Sequence, residues 1–289
     1  MKRCSEYVLA NGIRLNVHRF EPENAKASGL TVLLLHGFLD SGATWELVAE
    51  PLARAGHEVL APDLRGFGSS DHVGAGGYYH FADYVGDVAA LLDRFERKRI
   101  ALVGHSMGGT VASLCAGAMP DRIERLALLE GLGTLHSDPA TTGVARMRAW
   151  LRDMQKIERQ QRPLASFEEA VERLARMHPS IPHGMIESRA RLLTRVDDSG
   201  QLRWAYDPLH RTTSPTPFSA DAFKGFLRSI TVPTLFVSGG IGGWRVPDES
   251  ERLACISNVT HVDLPDAGHM MHWKSPDAVA ECLLRFLAS

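Results

Sequence analysis

The segment Ile100-Ala101-Leu102-Val103-Gly104-His105-Ser106-Met107-Gly108-Gly109 carries a short apolar run straight into a serine flanked by glycines. The run has the length and composition of a buried strand, and a helix is predicted from about residue 107 to 118. A Gly-x-Ser-x-Gly sequence between a strand and a helix makes a turn so tight that its flanking positions must lack bulk. Such a turn lifts the serine oxygen above the end of the strand. It also leaves the Met107 N–H at a helix N-terminus, where negative charge is favoured. Without that context the same glycines would make only a loop with an incidental serine. The strand before and the helix after favour a nucleophile.

Working outward, the chain alternates strand and helix signals. Residues 5–10 and 13–20 read as two strands around Asn11-Gly12, a hairpin turn signal. Thr31-Val32-Leu33-Leu34-Leu35 is continuously apolar, as for a strand covered on both faces. A helix at roughly 43–55, a strand at His57–Ala61, a helix over 80–97 and the strand Leu126–Leu129 complete a β-α-β-α-β rhythm, which predicts a parallel sheet between helices. After Gly133 the rhythm stops. Residues 134–228 are polar, Arg-rich and helical in period, and no apolar run between Arg146 and Arg211 would make a buried strand. Helices are predicted over 145–161 and 166–177, the second opened by the capping box Ser166/Glu169. Strand signals return at Pro233–Ser238 and Val259–Leu264, before a helix over Asp277–Leu287. The chain divides into a first core segment (residues 1–133), an insertion (134–228) and a second core segment (229–289).

Four motifs in order resemble the α/β-hydrolase family: His36-Gly37-Phe38 after an apolar strand, Pro62-Asp63-Leu64-Arg65-Gly66-Phe67-Gly68-Ser69-Ser70, the serine turn, and Asp266-Ala267-Gly268-His269. The resemblance covers the core from residue 31 to 289 and puts 134–228 in the place of the family's variable helical cap. It implies an α/β-hydrolase fold, with a mostly parallel central sheet flanked by helices. It also implies Ser106 as nucleophile, His269 as general base, and the N–H groups of Phe38 and Met107 as an oxyanion hole. Loss of one such donor typically costs about 10²–10³ in rate. The loop of His269 follows a short strand, so it lies on the sheet edge where ligand sites of open α/β sheets are found. His272 is the nearby rival and is expected to flank the site. His36 is expected to be structural, and Asp63 and Arg65 loop scaffolding. Family dehalogenases and epoxide hydrolases use an aspartate nucleophile, so Ser106 implies acyl transfer instead.

In most relatives the acid of the triad follows the strand that here ends at Val237-Ser238. The loop beyond it, Gly239-Gly240-Ile241-Gly242-Gly243-Trp244-Arg245-Val246-Pro247, contains no carboxylate until Asp248. A minority arrangement in the family draws the acid from one strand earlier, where Glu130 lies 24 residues after Ser106. A histidine base needs such a partner to hold its tautomer. Glu130 is the expected acid, with Asp248 or Glu249, or a damaged triad, as alternatives. Trp45, Trp150, Trp204, Trp244, Met147 and Phe218 are candidates to line the pocket. Each singly is better read as packing insertion against core.

Bulk properties narrow the function further. Of 289 residues 44% are apolar and 23% charged, and Lys and Arg number 32 against 34 for Asp and Glu. No basic tract points to a nucleic-acid partner. The 13 basic and nine acidic residues between 146 and 211 read as a solvated face. Cys4, Cys115, Cys255 and Cys282 form no CxxC pair, as for free thiols in a reducing compartment. No apolar run reaches signal-peptide or membrane-span length, so a cytoplasmic protein is expected. No metal or organic cofactor is implied. The expected function is hydrolysis of small to medium, largely apolar carboxylic esters. A thioesterase, lactonase or C–C bond hydrolase would use the same machinery, and a non-catalytic ligand-binding protein on this fold is the rival of another class.

Overall fold

A computed structural model describes residues 2–22, 28–95, 99–160 and 162–289. β1 (Lys2–Ala10) and β2 (Ile13–Glu21) form the predicted hairpin. Asn11 and Gly12 have φ of 49° and 76°, the two successive positive values that a type I′ turn requires. β3 (Thr31–Leu35), α1 (Glu46–Arg54), β4 (Glu58–Pro62), α2 (Phe81–Phe95), β5 (Ile100–His105), α3 (Met107–Ala118) and β6 (Arg125–Leu129) follow in the predicted order. A 3-10 turn at Gly42–Trp45 leads into α1. Beyond the insertion come β9 (Thr234–Ser238), α8 (Glu249–Leu253), β10 (Val259–Asp263), α9 (Met271–Lys274) and α10 (Pro276–Ala288). The predicted helix ends at 96–97 and 161 lie outside the described residues. Among the described residues no helix is long and apolar enough to cross a membrane.

The eight core strands lie in the order β1-β2-β4-β3-β5-β6-β9-β10. β2 is antiparallel to β1 and β4, and all other pairings are parallel. Successive side chains of a strand point to opposite faces, and here both faces are covered. Leu33, Leu35, Leu102, Leu126, Leu128 and Phe236 pack beneath α2 and α3, with Val88, Leu91 and Val111. Val32, Leu34, Val103, Ala127, Leu129 and Val237 face the other way, against Val48 and Leu52 of α1 and Val279 and Leu283 of α10. Burial on both sides explains why these strands read as continuous apolar runs rather than alternating ones. Each such Leu or Val removed from water contributes about 1.5–3 kcal/mol. That outweighs propensity differences, so burial fixes the sheet.

The insertion holds α4 (Pro139–Gln160), α5 (Phe167–Met177), α6 (His183–Leu193), the short hairpin β7 (Thr194–Val196) and β8 (Leu202–Trp204), and α7 (Ala220–Arg228). α4 starts six residues before the predicted 145, because Asp138 caps it and Pro139 occupies its first turn. The Asp138 carboxylate accepts the Ala140 N–H at 2.9 Å. At α5, Ser166 Oγ accepts from Glu169 N at 3.3 Å, but Glu169 reaches back to Ala165 N at 2.6 Å rather than to Ser166 N. α5 and α6 share a small core, Ala170, Leu174, Ile186 and Ala190, that continues onto Met270 and Trp273. The insertion therefore rests on the loop that carries His269.

Candidate active site

β5 ends at His105 and α3 begins at Met107, so Ser106 alone makes the turn, at φ 53° and ψ −116°. Backbone in such a sparsely populated region costs about 1–3 kcal/mol and persists only where the surroundings enforce it. They do so by contact: a Cβ on Gly104 would collide with the Gly108 carbonyl, and one on Gly108 with the Leu35 carbonyl. Met107, the first residue of α3, has no intrahelical acceptor for its N–H.

Three side chains from three separate elements meet at this turn. Ser106 Oγ lies 3.1 Å from His269 Nε2, and His269 Nδ1 lies 2.7 Å from Glu130 Oε2. Glu130 directly follows β6, at φ 48°, and its side chain is fully buried. Two backbone donors hold it as well: Gly239 N–H to Oε1 and Trp244 N–H to Oε2, both at 2.6 Å. An ionised carboxylate only accepts hydrogen bonds, so Nδ1 of His269 carries the proton and Nε2 is free to accept from Ser106. β6 and β9 are neighbours, which puts the end of β6 beside the glycine-rich loop after β9. Glu130 reaches across into that loop. A Cβ on Gly243 would overlap its carboxylate, so glycine at 243 leaves the room that Glu130 occupies. The alternative Asp248 instead pairs with Arg252 at 2.8 Å and Lys224 at 3.4 Å.

A second layer of buried histidines supports the first. His105 Nε2–H donates to the His269 carbonyl at 2.8 Å and so ties the serine turn to the histidine loop. Burial holds its imidazole well below the ordinary histidine range, and the nearby His272 and His269 act the same way. His272 is buried against Asp40, Nε2 to Oδ2 at 2.9 Å. Burial lowers its pKa too, which makes it a neutral donor to the Asp40 carboxylate. Asp40, His105 and His272 bring possible ligand atoms within 4.8 Å of one another, the one such group of three among the described residues. Asp40 already accepts from Ser41 N at 2.9 Å and Thr44 Oγ1 at 2.8 Å besides His272, whereas Nδ1 of His105 and Nδ1 of His272 are buried without a hydrogen-bond partner among the described residues. His36 bridges loops: Nδ1–H donates to the Gly37 carbonyl at 2.8 Å and Nε2 accepts from Leu64 N–H at 2.9 Å. Asp63 accepts from Gly42 N–H at 2.7 Å and Ser69 N–H at 2.9 Å, and Arg65 forms a buried pair with Asp87. Those two residues lie in the scaffold, away from His269.

Ser106 and His269 open into a cavity of about 800 Å³ between core and insertion, which Phe38 and Met107 also line. Of the candidates, Trp244 and Phe218 line it, and Trp45, Trp150, Trp204 and Met147 do not. Trp45 is buried under His272, with ring centroids 4.6 Å apart. Trp150 packs edge-on to Tyr78, Trp204 stacks on Tyr206, and Met147 is exposed. Much of the wall comes instead from Tyr78, Tyr79 and Phe81, with Met270 and Trp273. The aromatic run Tyr78-Tyr79-His80-Phe81 just before a helix was the available sequence signal for it.

The sequence model of the alpha/beta hydrolase fold family matches residues 31–276. The chain belongs to the α/β-hydrolase family. A serine hydrolase-like protein of Danio rerio is 27% identical over 271 residues, covering 90% of this chain and 82% of that protein. Several other curated relatives are matched over only 35% to 56% of their own length. Among solved structures, a hypothetical protein of Pseudomonas aeruginosa is 28% identical with a TM-score of 0.84, and the two chains cover each other fully. A thioesterase domain from the curacin biosynthetic pathway, 26% identical, superposes over the full length of both chains with a TM-score of 0.86.

Proposed function

We propose that this member of the family is a serine hydrolase that cleaves small to medium, largely apolar carboxylic esters through an acyl-enzyme. The observation that carries this is the hydrogen-bonded chain Ser106–His269–Glu130 opening on the aromatic cavity. Both links fall within the hydrogen-bond reach that proton transfer needs. In the reaction, His269 Nε2 takes the Ser106 proton as Oγ attacks the ester carbonyl. The Phe38 and Met107 N–H groups face the oxyanion. His269 then returns the proton to the departing alcohol, and a water activated at the same nitrogen frees the acid and regenerates Ser106. The Glu130 carboxylate stabilises the imidazolium in both halves. A pure binding protein would have no use for a buried carboxylate aimed at His269, which favours the enzymatic reading. The full-length likeness to a thioesterase domain makes thioesters the second substrate class to test.

The test is hydrolysis of p-nitrophenyl esters of graded acyl length by wild type and Ser106→Ala. Turnover with an initial burst by wild type, and loss of at least about 10³ in rate for the variant, is the expected result. Wild type inert to every oxygen ester and thioester would overturn the proposal.

A further inference from the structure

We propose that the cavity selects esters bearing a second, carboxylate group, which Arg146 holds while the scissile carbonyl lies at Ser106. This rests on the serine-hydrolase reading of the same site. Among the described residues lining the cavity, Arg146 of α4 is the one Lys or Arg. Its Nε–H donates to the Ser214 carbonyl at 3.1 Å, which fixes the plane of the guanidinium. Its two Nη groups have no hydrogen-bond or ion-pair partner among the described residues. The nearest acid along the helix, Asp153, is already engaged, accepting from Thr213 N at 3.0 Å and Thr213 Oγ1 at 2.8 Å.

Around Arg146 the wall turns polar. The Tyr78 hydroxyl bonds Thr212 Oγ1 at 2.5 Å, and Ser214 and Thr216 also border the cavity there. Elsewhere Phe81, Phe218, Met177 and Trp273 dominate the wall, with His178, His210 and Thr110 among them. A cation set in such a wall loses hydration, and an anionic ligand restores what it loses. The planar guanidinium fork matches the two oxygens of a carboxylate. A single cation balances a single charge, which favours a carboxylate over a doubly charged phosphate. The substrate class is then a half-ester: an apolar chain with the reactive ester at one end and a carboxylate at the other. A cavity of this size accommodates such a molecule.

The experiment compares mono-p-nitrophenyl suberate with its methyl-capped, neutral counterpart. Binding is measured by calorimetry to Ser106→Ala, and turnover by wild type. Ser106→Ala is expected to bind the free acid at least about tenfold tighter, and kcat/KM to favour it by a similar factor; tenfold corresponds to about 1.4 kcal/mol. Adding Arg146→Met should bring both ratios to within about twofold of unity, and Arg146→Lys should leave an intermediate ratio. A ratio near one in Ser106→Ala itself, or one that survives Arg146→Met, overturns the inference. The first needs no Arg146 variant to fold. Failure of the underlying reading looks different: neither ester is turned over, or Ser106→Ala turns them over, while the binding ratio is still measured.

Discussion

Replacing Glu130 by Gln keeps the shape of the side chain and removes its charge, so it probes the least usual member of the site. Oε2 of Glu130 accepts from both His269 Nδ1 and Trp244 N, whereas Oε1 accepts only from Gly239 N. The amide oxygen therefore takes the Oε2 place, and the amide nitrogen is set against the Gly239 N–H. His269 keeps its tautomer but loses the opposite charge. At a separation of about 4 Å and an effective dielectric constant of about 20, a carboxylate stabilises an imidazolium by about 4 kcal/mol. Losing that from the transition state lowers kcat about 10³-fold. KM should change little, because the imidazolium forms only as the reaction proceeds. The unpaired donors at Gly239 should cost about 1–3 kcal/mol of stability. Initial rates on a short p-nitrophenyl ester, with thermal unfolding of the same samples, read both effects. A Gln variant within tenfold of wild type in kcat would show that the Glu130 charge plays no role in the reaction.

Two further outcomes follow from the packing. Gly243→Ala should lower both kcat and the melting temperature, because its Cβ overlaps the Glu130 carboxylate. Gly242→Ala, whose Cβ meets nothing nearer than Gly268 Cα at 3.5 Å, should be close to wild type, and equal behaviour of the two would refute the steric account. Burial holds His210 at a pKa of about 3, stacked on Phe67 with ring centroids 3.9 Å apart, and nearby His72 pushes the same way. The unfolded chain takes up that proton near pH 6.5, so the contribution is complete above that pH and is lost as pH falls toward 3, by at most about 1.4 kcal/mol per unit. His210→Phe should have a shallower acid limb in denaturant unfolding, and parallel limbs would refute the assignment.

The features legible in the sequence are those decided by local sterics or by burial on both faces. Gly104, Gly108 and Asn11-Gly12 announce turns because few other residues fit them, and Thr31–Leu35 announces a strand because both faces are apolar. Glu130 was legible through an absence, the lack of a carboxylate in the loop that Gly239 opens. Contacts between distant segments were not legible. Trp45 meets His272 from the far end of the chain, and nothing near Trp45 signals burial under the site rather than a place in the cavity wall. His105 reads only as a spacer before Ser106, yet it carries the bond to the His269 carbonyl. The hairpin of β7 and β8 escaped because its strands, Thr194-Arg195-Val196 and Leu202-Arg203-Trp204, are three residues each and at most half-buried, too short for a periodic signal.

The insertion leaves the core only a few residues beyond Glu130, and Arg252 grips that exit. Its side chain is fully buried, and Nη1 donates to the carbonyls of Leu132 at 2.6 Å and Thr134 at 2.9 Å. The grip works like the strain relief on a cable: a pull on the chain beyond Thr134 is taken up by α8 before it reaches the acid. The end of β6 is thereby anchored where the chain leaves the core, while α5 and α6 still bear on the histidine loop through Met270 and Trp273. A redrawn insertion would therefore have to keep its seat on Met270 and Trp273 to leave His269 where it is.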